Sequence, residues 1–231
     1  MTENVHQTAM DFYAGEVKKN RNKEKVAPLY AWTILIVTAL VVSSIGWGIG
    51  KLFFWERFNA DPFYMQQFEA LKQRVTADPD NVENLVALGW AYFQMGDYNQ
   101  ALTNYDKAAQ LDEKHFPAYY NRGLTYLQVE KYELAIRSFQ HATTLSPRDY
   151  ATRMNLGIAF YKNGQLEKAA ESLEIAYSLR PGAIEILLSL GEVYEAQGKN
   201  NEALIRYQAA LGFDPNNEAV KDAISRLRAT N

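Results

Sequence analysis

The 231-residue chain contains no cysteine. Disulfide frameworks, Cys-ligated zinc, iron–sulfur clusters, thiol catalysis, lipid attachment through Cys and CxxCH haem attachment are excluded together. Cysteine is also missing from many exported proteins, so its absence does not settle the compartment. Histidine is scarce as well: His6, His115 and His141 are the only three, and no two of them have metal-ligand spacing. Neither sign of charge dominates, with 24 Lys+Arg against 27 Asp+Glu and a net charge of -3, which leaves no global electrostatic reason to bind nucleic acid. The phosphate-cradling and nucleophile motifs GxGxxG, GxxxxGK[ST] and GxSxG do not occur. The expectation is a protein that is not an enzyme, with no catalytic residue, metal site, cofactor or small-molecule substrate. What the chain does have is 48% hydrophobic and 22% charged residues, the composition of a folded protein.

One uncharged run stands apart. The 25 residues between Lys25 and Lys51 carry no formal charge, and Leu29 to Gly50 is apolar apart from small hydroxyl residues. At about 1.5 Å rise per residue that segment makes a helix of roughly 33 Å, enough for a bilayer's hydrocarbon layer and longer than an ordinary buried core helix. Tyr30, Trp32, Trp47, Phe53, Phe54 and Trp55 gather near its ends, where amphipathic rings prefer the headgroup layer. A cleaved signal peptide would begin sooner, be shorter and be followed by a small-x-small site; an uncleaved signal anchor fits better. Lys18, Lys19, Arg21, Lys23 and Lys25 precede the run, whereas Lys51 and Arg57 follow it. This asymmetry predicts a cytoplasmic N-terminus and an extracytoplasmic remainder, periplasmic or on the outer face of the cell membrane. Residues 1–28 are polar, with a weak apolar cluster at Met10, Phe12 and Tyr13; a disordered basic tail and a short surface helix both fit.

The rest of the chain is periodic. Gly89, Gly123, Gly157 and Gly191 follow one another at 34-residue intervals without insertion. Three residues after each glycine stands Tyr92, Tyr126, Phe160 or Tyr194; twelve after it Ala101, Ala135, Ala169 or Ala203; sixteen after it Tyr105, Phe139, Leu173 or Tyr207; nineteen after it Ala108, Ala142, Ala176 or Ala210. Pro147, Pro181 and Pro215 close their units, Pro79 precedes the first in the same register, and Glu113 is the departure. Small residues recurring with large ones predict antiparallel helix pairs, close-packed where Gly and Ala fall and separated by proline. Gly96, Gly164 and Gly198 fall at the turn inside each pair, a left-handed C-cap position, and the second unit uses Glu130-Lys131 there instead.

This pattern resembles the tetratricopeptide repeat (TPR) family over about residues 82–215. The resemblance implies an all-α fold: a right-handed superhelix of four helix pairs, 82–115, 116–149, 150–183 and 184–215. Flanking it, 51–81 reads as a membrane-proximal linker and N-terminal capping helix marked by Phe63, Phe68, Leu71 and Val75, with a hinge at Asn59 to Pro62. Residues 216–231 read as a C-terminal capping helix, with Ala219, Val220, Ala223, Ile224 and Leu227 on one side and Lys221, Asp222, Arg226 and Arg228 on the other.

In TPR arrays the first helix of each pair lines a concave groove that binds a protein or peptide. Carried onto this sequence, the groove positions three before, one after and four after the packing glycine are Val86, Trp90 and Phe93; Tyr120, Leu124 and Leu127; Met154, Ile158 and Tyr161; and Leu188, Glu192 and Glu195. Glu185 adds to the acidic character of the last set. Some of these side chains could instead be covered by a neighbouring helix. The family's carboxylate clamp is incomplete: Asn121 matches one place, but Val86, Trp90 and Ala151 stand where Lys, Asn and Lys are needed, and Asn155 where Arg is needed. Residues 68–102, FEALKQRVTADPDNVENLVALGWAYFQMGDYNQAL, are also similar to the TPR component of bacterial cytochrome c maturation, whose groove holds the C-terminal helix of an apocytochrome. That resemblance implies a membrane-anchored assembly factor. A permanent structural subunit of a membrane complex and a chaperone-like accessory of the protein export channel are the alternatives.

Overall fold

The computed structural model describes residues 62–229, which lie within the second of the two units, 1–59 and 60–231, into which the chain divides. The uncharged run 29–50, the tail 1–28 and the linker and hinge residues up to 61 lie outside the described residues. Among the described residues no helix is long and apolar enough to cross a membrane.

Ten helices and no strand are found among the described residues: α1 (Pro62–Ala77), α2 (Val82–Gln94), α3 (Tyr98–Leu111), α4 (Phe116–Gln128), α5 (Tyr132–Leu145), α6 (Tyr150–Lys162), α7 (Leu166–Leu179), α8 (Ile184–Ala196), α9 (Asn200–Phe213) and α10 (Glu218–Ala229). The even-numbered helices open at 34-residue intervals, and α10 keeps that register after α8. It therefore stands in the place of a further first helix.

Each pair is locked by one large side chain seated on one glycine. A Cβ added at Gly89 would lie 2.7 Å from the Tyr105 ring, at Gly123 2.6 Å from Phe139 and at Gly157 2.6 Å from Leu173, and Gly191 sits even more tightly on Tyr207. Only a residue without a side chain lets the two helices close over so large a group. The alanines 101, 108, 135, 142, 169, 176, 203 and 210 are fully buried between the helices. At the turns, Gly96, Gly164 and Gly198 adopt φ of 78, 76 and 73°, and Glu130 is driven to φ 59° in the same place. Each of these turns carries the paired bonds of a Schellman cap, as in Asp97 N–H to Tyr92 C=O with Gly96 N–H to Phe93 C=O, and Lys131 N–H to Tyr126 C=O with Glu130 N–H to Leu127 C=O.

Every helix packs on its neighbours in sequence. In addition α2 touches α4, α4 touches α6 and α6 touches α8, whereas no two second helices make a comparable contact among the described residues. In a curved stack the elements that meet at next-nearest range are those inside the bend. The first helices therefore line the concave side, and α3, α5, α7 and α9 form the outer one.

The two flanking helices depart from expectation in detail. In α1, Phe68 is buried and Leu71 and Val75 are half-buried, but Phe63 is exposed. It precedes Phe68 by five residues, a rotation of roughly 140° from the packed stripe. In α10, Val220, Ala223, Ile224 and Leu227 are buried against α9's cluster while Ala219 is exposed. Ser225 occupies the packing-glycine position of α10, flanked by Lys221 and Arg228, so its far face is polar.

A candidate peptide-binding groove

Two of the four first helices start at a side-chain cap: Asn81 caps α2 by accepting from Asn84 N–H (3.0 Å), and Asp149 caps α6 by accepting from Thr152 N–H (2.7 Å) and its hydroxyl (2.5 Å), whereas α4 and α8 begin after His115 and Ala183 without one. The positions three before, one after and four after the packing glycine share one face on each of α2, α4, α6 and α8.

None of the thirteen groove candidates is fully buried. At the α2 end Trp90 is 40% exposed and stacks on half-buried Phe93, ring centroids 5.2 Å apart at 13°; Phe93 in turn meets Tyr98 at 5.6 Å. Val86 is half-buried against the cluster that contains Leu85 and Tyr119. On α4, Tyr120 stacks with Phe116 at 5.7 Å and meets the edge of Phe139. Its hydroxyl accepts a bond from Asn155 Nδ2 at 3.2 Å, and burial pushes its ionisation above the ordinary tyrosine range. Leu124, Leu127, Met154 and Tyr161 are partly buried on the central core cluster, and Ile158 has the same intermediate exposure. Asn121 is half-buried, and its backbone carbonyl accepts the Thr125 hydroxyl. Leu188 packs on the cluster shared with α10.

The two glutamates differ. Glu192 is exposed and has no ion pair among the described residues. Glu195 accepts two bonds from Arg226 of α10, at 2.8 and 2.9 Å, and one from the Tyr207 hydroxyl at 3.3 Å. Arg226 was not among the sequence candidates. Continuing the 34-residue step past Gly191 reaches Ser225, which would have put Arg226 in the same groove position as Trp90, Leu124, Ile158 and Glu192. Asn155, noticed only as a mismatch to the carboxylate clamp, holds Tyr120 in place. Among the described residues no cluster of His, Asp and Glu has the makings of a metal site.

A stack of antiparallel helix pairs whose inner face is lined by half-exposed aromatic and aliphatic groups is a binding scaffold in architecture. A family model described as TPR repeat matches residues 89–130, and one described as tetratricopeptide repeat matches twice, at 120–184 and 154–218. The chain belongs to the tetratricopeptide repeat family. Among solved structures it is similar to a MamA, with 31% identity, 66% of this chain and 89% of that chain covered, and a TM-score of 0.63. A MamA from Desulfovibrio magneticus RS-1 matches with 25% identity, coverage of 71% and 92%, and a TM-score of 0.64. YrrB, described as a TPR protein with an unusual peptide-binding site, shares the fold at 23% identity, coverage of 71% and 84%, and a TM-score of 0.63. No curated protein matches the chain.

Proposed function

We propose that this protein is a non-catalytic, membrane-anchored scaffold that captures a peptide or partner subunit in its groove and assists assembly or maturation of a membrane or extracytoplasmic complex. The observation that carries the reading is the row of Trp90, Phe93, Tyr120, Leu124 and Tyr161 along the inner helices, left part-exposed where packing alone would not require apolar groups. Anchoring rests on the uncharged run 29–50 and its basic flank, with the TPR domain extracytoplasmic. The similarity of residues 68–102 to the cytochrome c maturation component makes the C-terminal helix of an apocytochrome c the first client to test.

Burying each large anchor would contribute about 1.5–3 kcal/mol. Trp90→Ala or Tyr120→Ala is expected to abolish capture of such a helix by the detergent-solubilised protein while circular dichroism shows both folded, with Tyr120→Ala melting lower because it gives up contacts with Phe116, Phe139 and Asn155. If both variants stay folded and bind partners with wild-type affinity, recognition lies on the outer face or in the membrane segment. Stoichiometric co-purification in mild detergent would instead point to a permanent subunit.

A further inference from the structure

At the α8 end the apolar lining gives way to charge. A pocket of about 360 Å³ opens there, lined by Tyr161, Glu192, Glu195, Ala196 and Arg226. Tyr161 and Glu195 stand four residues after the packing position of their helices, and Glu192 and Arg226 one residue after it. The pocket is thus the continuation of the groove onto α10. It holds two carboxylates and one guanidinium between an aromatic and a methyl wall, and Glu192 makes no ion pair among the described residues. Tyr161 already faces one cation, Lys162 Nζ, at 5.8 Å from its ring centre.

We propose that this pocket receives a lysine or arginine side chain of the bound peptide, and that Arg226 is a built-in competitor for the same carboxylates. The proposal rests on the groove reading and names the ligand's charge at one end. Arg226 shows that a guanidinium fits, because its Nη2 reaches both Glu195 oxygens at 2.8 and 2.9 Å. Its side chain is 61% exposed, so the pair is screened by water and exchanges readily. A cation delivered by a peptide already anchored on Trp90 and Tyr120 arrives at high effective concentration. It meets the free Glu192 first, lies against the Tyr161 ring and then contests Glu195. An anionic group entering the same space meets the Glu192 carboxylate, whose charge no ion pair among the described residues offsets, and is disfavoured.

The test uses the full chain in detergent micelles with labelled alanine methyl groups, the Ala196 signal being assigned by its loss in Ala196→Ser. N-acetyl-argininamide and N-acetyl-lysinamide are expected to shift that signal saturably, and the amide of N-acetyl-glutamate is not. Arg226→Gln removes the competitor and should tighten arginine-probe binding about threefold or more, whereas Glu192→Gln should weaken it by a similar factor. Arg226→Lys retains the cation and should bind as wild type, which separates competition from loss of α10 packing. Weaker or unchanged binding in Arg226→Gln, or saturable binding of the glutamate probe, overturns the proposal. Loss of capture in Trp90→Ala would still stand in that event, so the groove and the pocket fail separately.

Discussion

Tyr105 and Phe139 fill the same hole in successive repeats, over Gly89 and Gly123. Tyr105 alone carries a hydroxyl, which is buried with no hydrogen-bond partner among the described residues. Such a group costs about 1–3 kcal/mol. Burial also pushes the Tyr105 phenol far above its ordinary value of 10.0, because a phenolate could not be solvated there. The fold therefore binds this proton more tightly than the unfolded chain does. Its contribution is intact below about pH 10 and is lost as pH rises beyond that value. Tyr105→Phe should raise stability by about 1 kcal/mol at neutral pH and blunt alkaline unfolding, read by denaturant melts at neutral and alkaline pH. Identical curves for the two proteins would mean that the hydroxyl is satisfied. Glu130, at φ 59°, carries a side chain where the other three repeats have glycine. Glu130→Gly is expected to stabilise the domain by about 0.5–1 kcal/mol in the same assay; destabilisation would show that the glutamate side chain compensates for its backbone.

At the scale of the helix, α6 is held at its start by Asp149, which accepts both Thr152 bonds. Asp149→Ala should cost about 1 kcal/mol, and a cost near zero would show that another group takes over the cap. Between helices, Ala135 and Ala169 have no exposed surface, so Ala135→Leu or Ala169→Leu should cost roughly 1–3 kcal/mol and broaden the thermal transition. A melt like wild type would contradict the close-packing role given to these positions. These elements were legible in the sequence because four repeats pose the same packing problem and answer it with the same residues. The flanks were less so. Helix α1 lies outside the 34-residue register that fixes the faces of the repeats, so Phe63 could be counted with the buried stripe although it is exposed. Asn155, read as a missing arginine, proves to be the partner of Tyr120, a contact between residues 35 apart that local pattern does not reveal.

At the scale of the whole domain, the apolar clusters follow one another along the stack, from α1–α2 through the central repeats to α10. Each repeat is stabilised by its neighbours, as in other solenoids. The curvature that follows places the first helices inside, and the proposed groove positions belong to those helices. The Glu195–Arg226 pair joins residues 31 apart across the end of the stack, and it became legible only once α10 was seen to keep the repeat register. The proposed function requires that partners be recognised by the concave face, and site-specific photocrosslinking in intact cells tests it, with the crosslinker placed at Leu124 or Ile158 on the inner helices and at Gln140 or Ile205 on the outer ones. Partner adducts from the inner positions, lost when Trp90→Ala is combined with them, are the expected result. Adducts of equal yield from Gln140 and Ile205, insensitive to Trp90→Ala, would mean that the concave face is not where partners bind.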